Sequence, residues 1–169
     1  MLNAIFLLNT YVYAQLEGKN LIPNPGFEIY KGKNPKPSII SAKPWLNVGT
    51  VDFYNKIDEK DTSHFKGPHS GKCYVGIRFQ AKYKEYAYVK LTEPLIKDRT
   101  YFFSMYVRLL DVSTVSIKQL GVYLSDSPFK MGMVFDPNGL IDTTYTSGLS
   151  GNYGWMPITG KYTAKGKEK

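Results

Sequence analysis

The stretch that decides the fold is Asn20-Leu21-Ile22-Pro23-Asn24-Pro25-Gly26-Phe27-Glu28. Its two prolines remove backbone N–H donors and exclude a helix, and Gly26 permits a positive φ. Leu21, Ile22 and Phe27 are apolar. We therefore expect an entry strand that bends and packs these three side chains onto a core.

Downstream of this stretch, apolar residues recur at every second position, which is the period of a half-buried β-strand. The clearest cases are 72–80 and 100–110, and in the second the outward face, with Phe102 and Tyr106, is also aromatic, so we expect it to be only partly solvated. A hairpin is predicted between 72–80 and 85–91. The other predicted strands are 115–125 and 155–164, and the predicted loops and turns are 30–38, 58–64, 97–98, 136–139 and 143–154.

Length and composition agree with an all-β protein. The chain has 169 residues, enough for one domain with a substantial core. It contains 15 glycines, 10 prolines, 14 tyrosines and 9 phenylalanines, and no long apolar run has the helical period. The sequence predicts a β-sandwich.

The chain is basic, with 22 Lys and Arg against 14 Asp and Glu and a formal net charge of +8. A positive excess favours acidic partners such as anionic glycans, membrane surfaces or nucleic acid. The lysines are spread over the chain and no nucleic-acid-binding motif accompanies them, so we expect no nucleic-acid partner.

The N-terminus resembles a secretory leader. A short apolar run at 4–8 is followed by Val12-Tyr13-Ala14, where small residues suit cleavage after Ala14. The segment departs from the usual pattern in one respect, because Met1-Leu2-Asn3 contains no Lys or Arg. We expect residues 1–14 to be a signal peptide and 15–169 to be one exported β-sandwich domain. The alternative is that the run forms an N-terminal β-strand. The single Cys73 forms no internal disulfide.

Several motifs, in this order, resemble galactose-binding-like jelly-roll modules, the architecture of many carbohydrate-binding modules. They are the opening 20–28 segment, Trp45, the turn Gly67-Pro68-His69-Ser70-Gly71-Lys72-Cys73-Tyr74, the pair Glu85-Tyr86, and the strand Tyr101-Phe102-Phe103-Ser104-Met105-Tyr106-Val107-Arg108.

The sequence is most similar to the N-terminal modules of exported OmpA-family envelope proteins of Gram-negative bacteria. The shared segments are 49–55, 120–125 and 155–166. This resemblance implies a location in the periplasm, the outer membrane or the cell surface. It also implies a jelly roll that lacks its last strand, so that Lys169 is a truncation point with a possible downstream domain.

The resemblance also implies a structural calcium ion. In carbohydrate-binding jelly rolls the glutamate of the opening segment, here Glu28, ligates Ca²⁺ together with backbone carbonyls of the Ser-Gly-Lys turn, here at Lys72. Carboxylates beside carbonyl-rich turns suit this cation. The alternative is that Glu28 caps a loop or pairs with a lysine.

Sugar binding would use aromatic rings against pyranose C–H faces, and charged or amide groups on the hydroxyls. For any single aromatic residue a core position is the more common outcome, and loop rings are better candidates than those inside strands. The candidate ligand-binding residues are Trp45, Asp52, Phe53, Tyr54, Asn55, Tyr83, Tyr86 and Arg108, with Tyr106 and Trp155 as further aromatic candidates.

No catalytic constellation is recognisable. Asp58, Glu59 and Asp61 form a solvated loop cluster rather than a cleft pair, and 148–152 departs from the nucleophile-elbow pattern at its last position. The sequence therefore predicts a non-enzymatic module that binds a polysaccharide or another cell-envelope polymer. Two alternatives stay open: a structural or adhesive domain with protein partners, and an ancillary module of a glycoside hydrolase.

Overall fold

The computed structural model describes residues 4–14, 18–32, 37–55, 67–80, 83–110, 113, 117–129, 140–149, 154–166 and 168–169. The structure is all-β and its strands pair antiparallel, which confirms the predicted class. The elements are β1 (Ala4–Ala14), a short 3₁₀ turn (Ile39–Ser41), β2 (Leu46–Val48), β3 (Asp52–Asn55), β4 (Cys73–Gln80), β5 (Tyr83–Lys84), β6 (Tyr86–Tyr88), β7 (Thr100–Leu109), β8 (Ile117–Tyr123), β9 (Leu140–Leu149) and β10 (Met156–Thr163).

The main sheet has the strand order β10-β7-β1-β4-β3, with β5 added to β4. Strands β2 and β6 form a second, two-stranded sheet, and β8 pairs with β9 in a third. Apolar residues of β6 and β8 and of the connection after β6 pack against the core side of the main sheet. This arrangement of sheets around one core is that of a β-sandwich.

One core joins the main sheet to the segments that cross it. Alternate residues of β4 and β7 point inward, so that Val75, Phe103 and Val107 are buried among the side chains of the first loop. Trp45 lies in the same core, where its ring centroid is 4.9 Å from that of Phe27. The period of two in the sequence therefore reports which side of each strand is buried.

The opening segment packs onto this core as predicted, since Leu21, Ile22 and Phe27 are all buried. The positive φ that Gly26 permits is not used there: Asn24 and Phe27 take the left-handed conformation instead. Asn24 is suited to it because its side chain holds the turn, accepting from the Ile29 amide at 3.0 Å and donating to the Ile29 carbonyl at 2.9 Å.

Several predicted elements are confirmed, and three need correction. The predicted entry strand at 20–28 is wrong, because bends and turns follow a single bridging residue at Asn20. Strands at 72–80, 100–110, 115–125 and 155–164 are present in β4, β7, β8 and β10, and the chain turns at 97–98, where Asp98 has a φ of 63°. The predicted loop 143–154 is wrong for 143–149, which belong to β9. The 85–91 hairpin is also wrong: within the segment that follows β4, the strand that pairs with it is β5 (Tyr83–Lys84), and β6 pairs with β2. The predicted turn 136–139 and loop 58–64 lie outside the described residues.

The N-terminal segment forms β1, which lies between β4 and β7 in the main sheet. Its residues 4–8 pair with 75–79 of β4, and its residues 6–14 pair with 101–109 of β7. Cleavage after Ala14 stays a prediction, and a chain cut there would lack this strand. Within the described residues, no helix has the length and apolar character needed to cross a membrane.

Candidate functional site

The side of the main sheet opposite the core carries a cluster of rings, which we call the aromatic face: Tyr54, His69, Tyr74, Tyr106 and Trp155. Tyr54 and Tyr74 are backbone partners on β3 and β4, and Tyr106 is on β7. They point outward because their sequence neighbours, including Phe53 and Val75, point into the core.

The rings of the aromatic face contact one another in a continuous series. Tyr54 stacks on Tyr74 with centroids 5.0 Å apart, and Tyr74 meets the edge of Trp155 at 6.3 Å. His69 lies edge-on to Trp155 at 6.1 Å and flat against Tyr106 at 3.5 Å. Tyr74 is buried, Tyr54, Tyr106 and Trp155 are half-buried, and His69 is exposed.

The loop that carries His69 is attached by a polar contact as well, to the residue that precedes β10. The Trp155 indole donates from Nε1 to the carbonyl oxygen of Gly67 at 3.2 Å. Rings held by both stacking and a hydrogen bond keep one orientation, so this end of the sheet presents a pre-organised surface.

Charged groups flank the rings on β3, β4 and β7. The half-buried Asp52 receives a long hydrogen bond, 3.5 Å, from the Tyr54 hydroxyl. Burial, and then the negative charge of Glu85, raise the pKa of Asp52, while the positive charge of Arg78 lowers it. Burial is also the main reason that the pKa of Tyr54 is raised. Arg108, two residues after Tyr106 on the same side of β7, is 3% exposed.

Three of the predicted ligand-binding residues stand on the core side. Trp45 is 6% exposed and its Nε1 donates to the Asn24 carbonyl at 2.8 Å. Phe53 is 3% exposed in the same core. Asn55 shares the side of Phe53 on β3, and its Nδ2 atom is buried without a hydrogen-bond partner among the described residues.

Tyr83 belongs to a polar network around the buried carboxylate of Glu85. Oε1 of Glu85 accepts from the Thr50 hydroxyl at 2.6 Å, the Thr50 amide at 3.2 Å and the Tyr83 hydroxyl at 3.2 Å. Oε2 accepts from the Arg78 amide at 2.7 Å. These bonds tie the turn before β3 to the β4–β5 hairpin, so Tyr83 has a structural role.

Tyr86 lies on β6, outside the main sheet. Its ring centroid is 4.8 Å from that of Phe129, and Tyr88 of the same strand contacts Phe129 at 6.1 Å. The structure therefore brings Asp52, Tyr54 and Arg108 to the aromatic face, together with the further aromatic candidates Tyr106 and Trp155, and places the other five predicted ligand-binding residues elsewhere.

Glu28 and Lys72, the predicted calcium ligands, are joined directly by a hydrogen bond. Oε1 of Glu28 accepts hydrogen bonds from the Lys72 amide at 2.6 Å and the Cys73 amide at 2.9 Å. Two amide donors satisfy this oxygen as a cation would, and no group of three or more His, Cys, Asp or Glu side chains suited to a metal exists among the described residues. Calcium binding at Glu28 stays a prediction, and the function proposed below does not depend on it.

Three members of the site were not among the predicted ligand-binding residues: His69, Tyr74 and Arg78. The alternation in β4 could have indicated Tyr74 and Arg78, because both stand opposite the apolar Cys73, Val75 and Ile77 series. His69 is in a loop, and only the folded chain brings it against Tyr106.

Comparison with known proteins gives no assignment. No family model matches the chain, and neither the curated proteins nor the solved structures yield a match. The resemblance to galactose-binding-like and OmpA-family modules therefore stays a prediction from the sequence.

Proposed function

We propose that this protein is a non-catalytic module that binds a polysaccharide of the cell envelope on the aromatic face. The observation that carries the proposal is the series of partly exposed rings at one end of the sheet, with the half-buried Asp52 carboxylate beside them and the positive charge of Arg78 close enough to lower the pKa of Asp52. The predicted leader supports an exported location, in the periplasm, the outer membrane or at the cell surface.

The chemistry of the face suits a sugar. Pyranose rings present C–H surfaces that pack on aromatic side chains, and their hydroxyl groups both donate and accept hydrogen bonds. Here His69, Tyr54 and Trp155 supply partly exposed rings, while Asp52 accepts and Arg78 donates. An open sheet face, unlike a closed pocket, can bind a segment within a long polymer.

The charge of the protein favours polymers that carry negative groups. The net charge of +8 raises the local concentration of an anionic glycan and speeds its association, and this effect weakens as salt screens it. Uronic-acid, sulfated and phosphorylated polysaccharides are therefore the first ligands to test, with peptidoglycan and neutral glucans for comparison.

Affinity electrophoresis in gels that contain each polysaccharide tests the proposal, with and without calcium. We expect one class of glycan to retard the full chain, and we expect His69→Ala and Tyr54→Ala to remove the retardation. Tyr88→Ala is the matched control, since this half-buried tyrosine lies on β6 and outside the aromatic face. A folded protein that no glycan retards would overturn the proposal and favour the structural or adhesive alternative.

A further inference from the structure

Three large apolar side chains are exposed in the first part of the chain. Ile29 is 69% exposed, and Ile40 and Leu46 are each 49% exposed. Among the described residues, one other large apolar side chain, Ile96, is exposed to a similar degree. Single exposed apolar residues are normal on a protein surface, whereas several that lie together mark an interaction site.

Hydrogen bonds hold the segments that carry these residues side by side. Nδ2 of Asn24 donates to the carbonyl oxygens of Ile29 and Lys43, at 2.9 Å in both cases. The Lys31 amide donates to the Ser41 carbonyl at 3.2 Å. The segment around Ile29 therefore runs beside the segment that follows the 3₁₀ turn.

Ile40 and Leu46 project from the core on adjoining elements. Ile40 follows the buried Ile39 in the 3₁₀ turn, and this turn contacts β2, the strand that begins with Leu46. Leu46 follows the buried Trp45 and is the backbone partner of the half-buried Tyr88, so these two side chains share one side of the β2–β6 sheet. We call these four residues the apolar patch: Ile29, Ile40, Leu46 and Tyr88.

Positive charge accompanies the apolar patch. Lys31 and Lys43 are exposed, and neither forms an ion pair among the described residues. The described part of the first 55 residues contains two carboxylates. Glu28 accepts amides of the turn before β4, and Asp52 lies at the aromatic face, on the far side of the main sheet from the core. Exposed aliphatic side chains therefore stand beside lysines whose charge no nearby carboxylate neutralises.

We propose that the apolar patch is a membrane-docking surface, which inserts its aliphatic side chains into the outer layer of a bilayer that contains anionic lipids. Apolar side chains gain free energy when they leave water for the boundary between headgroups and acyl chains. Tyr88 suits the headgroup level, because it has an apolar ring and a polar hydroxyl. Lys31 and Lys43 would lie beside lipid phosphates, which strengthens binding to anionic membranes.

The charge and composition of the patch favour this occupant over a second copy of the chain or another protein. Two copies would bring the same lysines, on chains with a net charge of +8, against each other. The centres of protein–protein interfaces are depleted in lysine and enriched in aromatic residues. A glycan would stack on ring faces, which the aromatic face offers, while the exposed members of the patch are aliphatic.

Flotation of the full chain with lipid vesicles tests the proposal. One set of vesicles is an equimolar mixture of phosphatidylglycerol and phosphatidylcholine, and the other is phosphatidylcholine alone. We expect the protein to float with the anionic vesicles and not with the neutral ones, and to be released by high salt. Ile40→Ser should lower the partition coefficient about tenfold, because it removes apolar area from the inserted surface.

Ile96→Ser is the matched control, because Ile96 is an isoleucine of nearly the same exposure, 51%, in another segment. That segment is held to the C-terminal residues, since the Leu95 amide donates to the Glu168 carbonyl at 2.9 Å. We expect Ile96→Ser to change the partition coefficient less than about twofold.

A second matched pair separates the lysines of the patch from the charge of the whole protein. Lys43→Glu and Lys97→Glu alter the net charge equally, and both lysines are exposed. We expect Lys43→Glu to lower binding to the anionic vesicles by a larger factor than Lys97→Glu does. Circular dichroism of each variant checks that it is folded.

Three results would overturn the proposal. In the first, the folded chain floats with neither set of vesicles. In the second, the chain floats, and Ile96→Ser lowers binding as much as Ile40→Ser. In the third, analytical ultracentrifugation finds a dimer that Ile40→Ser converts to a monomer, so that a second copy of the chain covers the patch.

Discussion

The carboxylate of Glu28 occupies the space in which a side chain on Gly71 would stand. Gly71 has a φ of 67°, and the first atom of any side chain there would meet the carboxylate directly. Glu28 meanwhile accepts the amides of Lys72 and Cys73, the two residues that lead into β4. The opening segment and the 67–72 turn are therefore held together by a side chain from one and backbone groups from the other.

Gly71→Ala is expected to destabilise the protein more than an ordinary glycine substitution. It combines left-handed strain with displacement of Glu28 from two charge-assisted bonds, and the sum should be about 3 kcal/mol in the free energy of unfolding. Gly32→Ala is the control, because Gly32 has a φ of 82° and open space around it, and we expect it to cost about 1 kcal/mol. If urea titrations gave Gly71→Ala and Gly32→Ala the same loss in the free energy of unfolding, this account of Glu28 would be contradicted.

Glu85→Gln should also destabilise, although the two side chains have nearly the same shape. All four groups that contact the Glu85 carboxylate donate to it, and the amide group of Gln would bring a second donor against one of them. We expect a loss of about 2 kcal/mol on urea unfolding.

The control for this variant is Glu93→Gln. Glu93 is paired with Lys19 at the surface, where both side chains are more than half exposed. Exposed ion pairs contribute little, so a change of less than about 1 kcal/mol is expected. The buried network would be refuted by a Glu85→Gln variant as stable as the control.

Asp52→Asn tests whether a group on the aromatic face is kept at the expense of stability. The pKa of Asp52 is raised above 3.8, first by burial, so folding disfavours its ionised form. Its contribution is fully present below pH 3.8 and is lost as the pH rises through the folded-state pKa. At pH 7 the variant should therefore be more stable than the original protein, and at pH 3 this advantage should disappear.

The affinity of the Asp52→Asn variant for the glycan should fall, because the Asn side chain accepts fewer hydrogen bonds than a carboxylate. Asp126→Asn, at an exposed position away from the main sheet, should change neither property. An Asp52→Asn variant that is less stable than the original at pH 7 would contradict the sign of the shift.

Cys73 should be nearly unreactive in the folded protein. Burial, followed by the negative charge of Glu28, raises the pKa of its thiol from 9.0 to about 12. At pH 8 this lowers the thiolate fraction about 1,000-fold, and labelling by a disulfide reagent should slow at least as much relative to the protein in urea. The contribution of the neutral Cys73 thiol to the free energy of unfolding should be fully present below pH 9 and should be lost as the pH rises from 9 to 12. Rapid labelling without denaturant would show that β4 is not buried there.

The sequence predicts those strands in which burial alternates. β4 and β7 were found because apolar residues stand at every second position on one side. β9 was missed because its segment Leu140–Leu149 is rich in Thr, Ser and Gly, residues that also form loops. β6 pairs with β2 and not with β4. The alternation of residues within a strand does not indicate which other strand will be its partner.

The aromatic face was only partly predictable because its assembly, like the pairing of β6, depends on contacts between residues that are distant in the sequence. A ring can stand on either side of a strand, and which side is buried depends on the partner layer. Tyr54 reaches the face because it pairs with Tyr74, while the neighbouring Phe53 turns to the core. Trp45 follows a proline in an irregular segment, where no alternation indicates its orientation.

The most direct measurement of the central claim is a fluorescence titration of two single-tryptophan variants with the polysaccharide panel. Trp45→Phe leaves Trp155 on the aromatic face as the only indole, and Trp155→Phe leaves Trp45 in the core. We predict that one class of glycan saturably changes the emission of Trp45→Phe and leaves that of Trp155→Phe unchanged. The reverse pattern, or no change in either folded variant with any glycan, would contradict binding at the aromatic face.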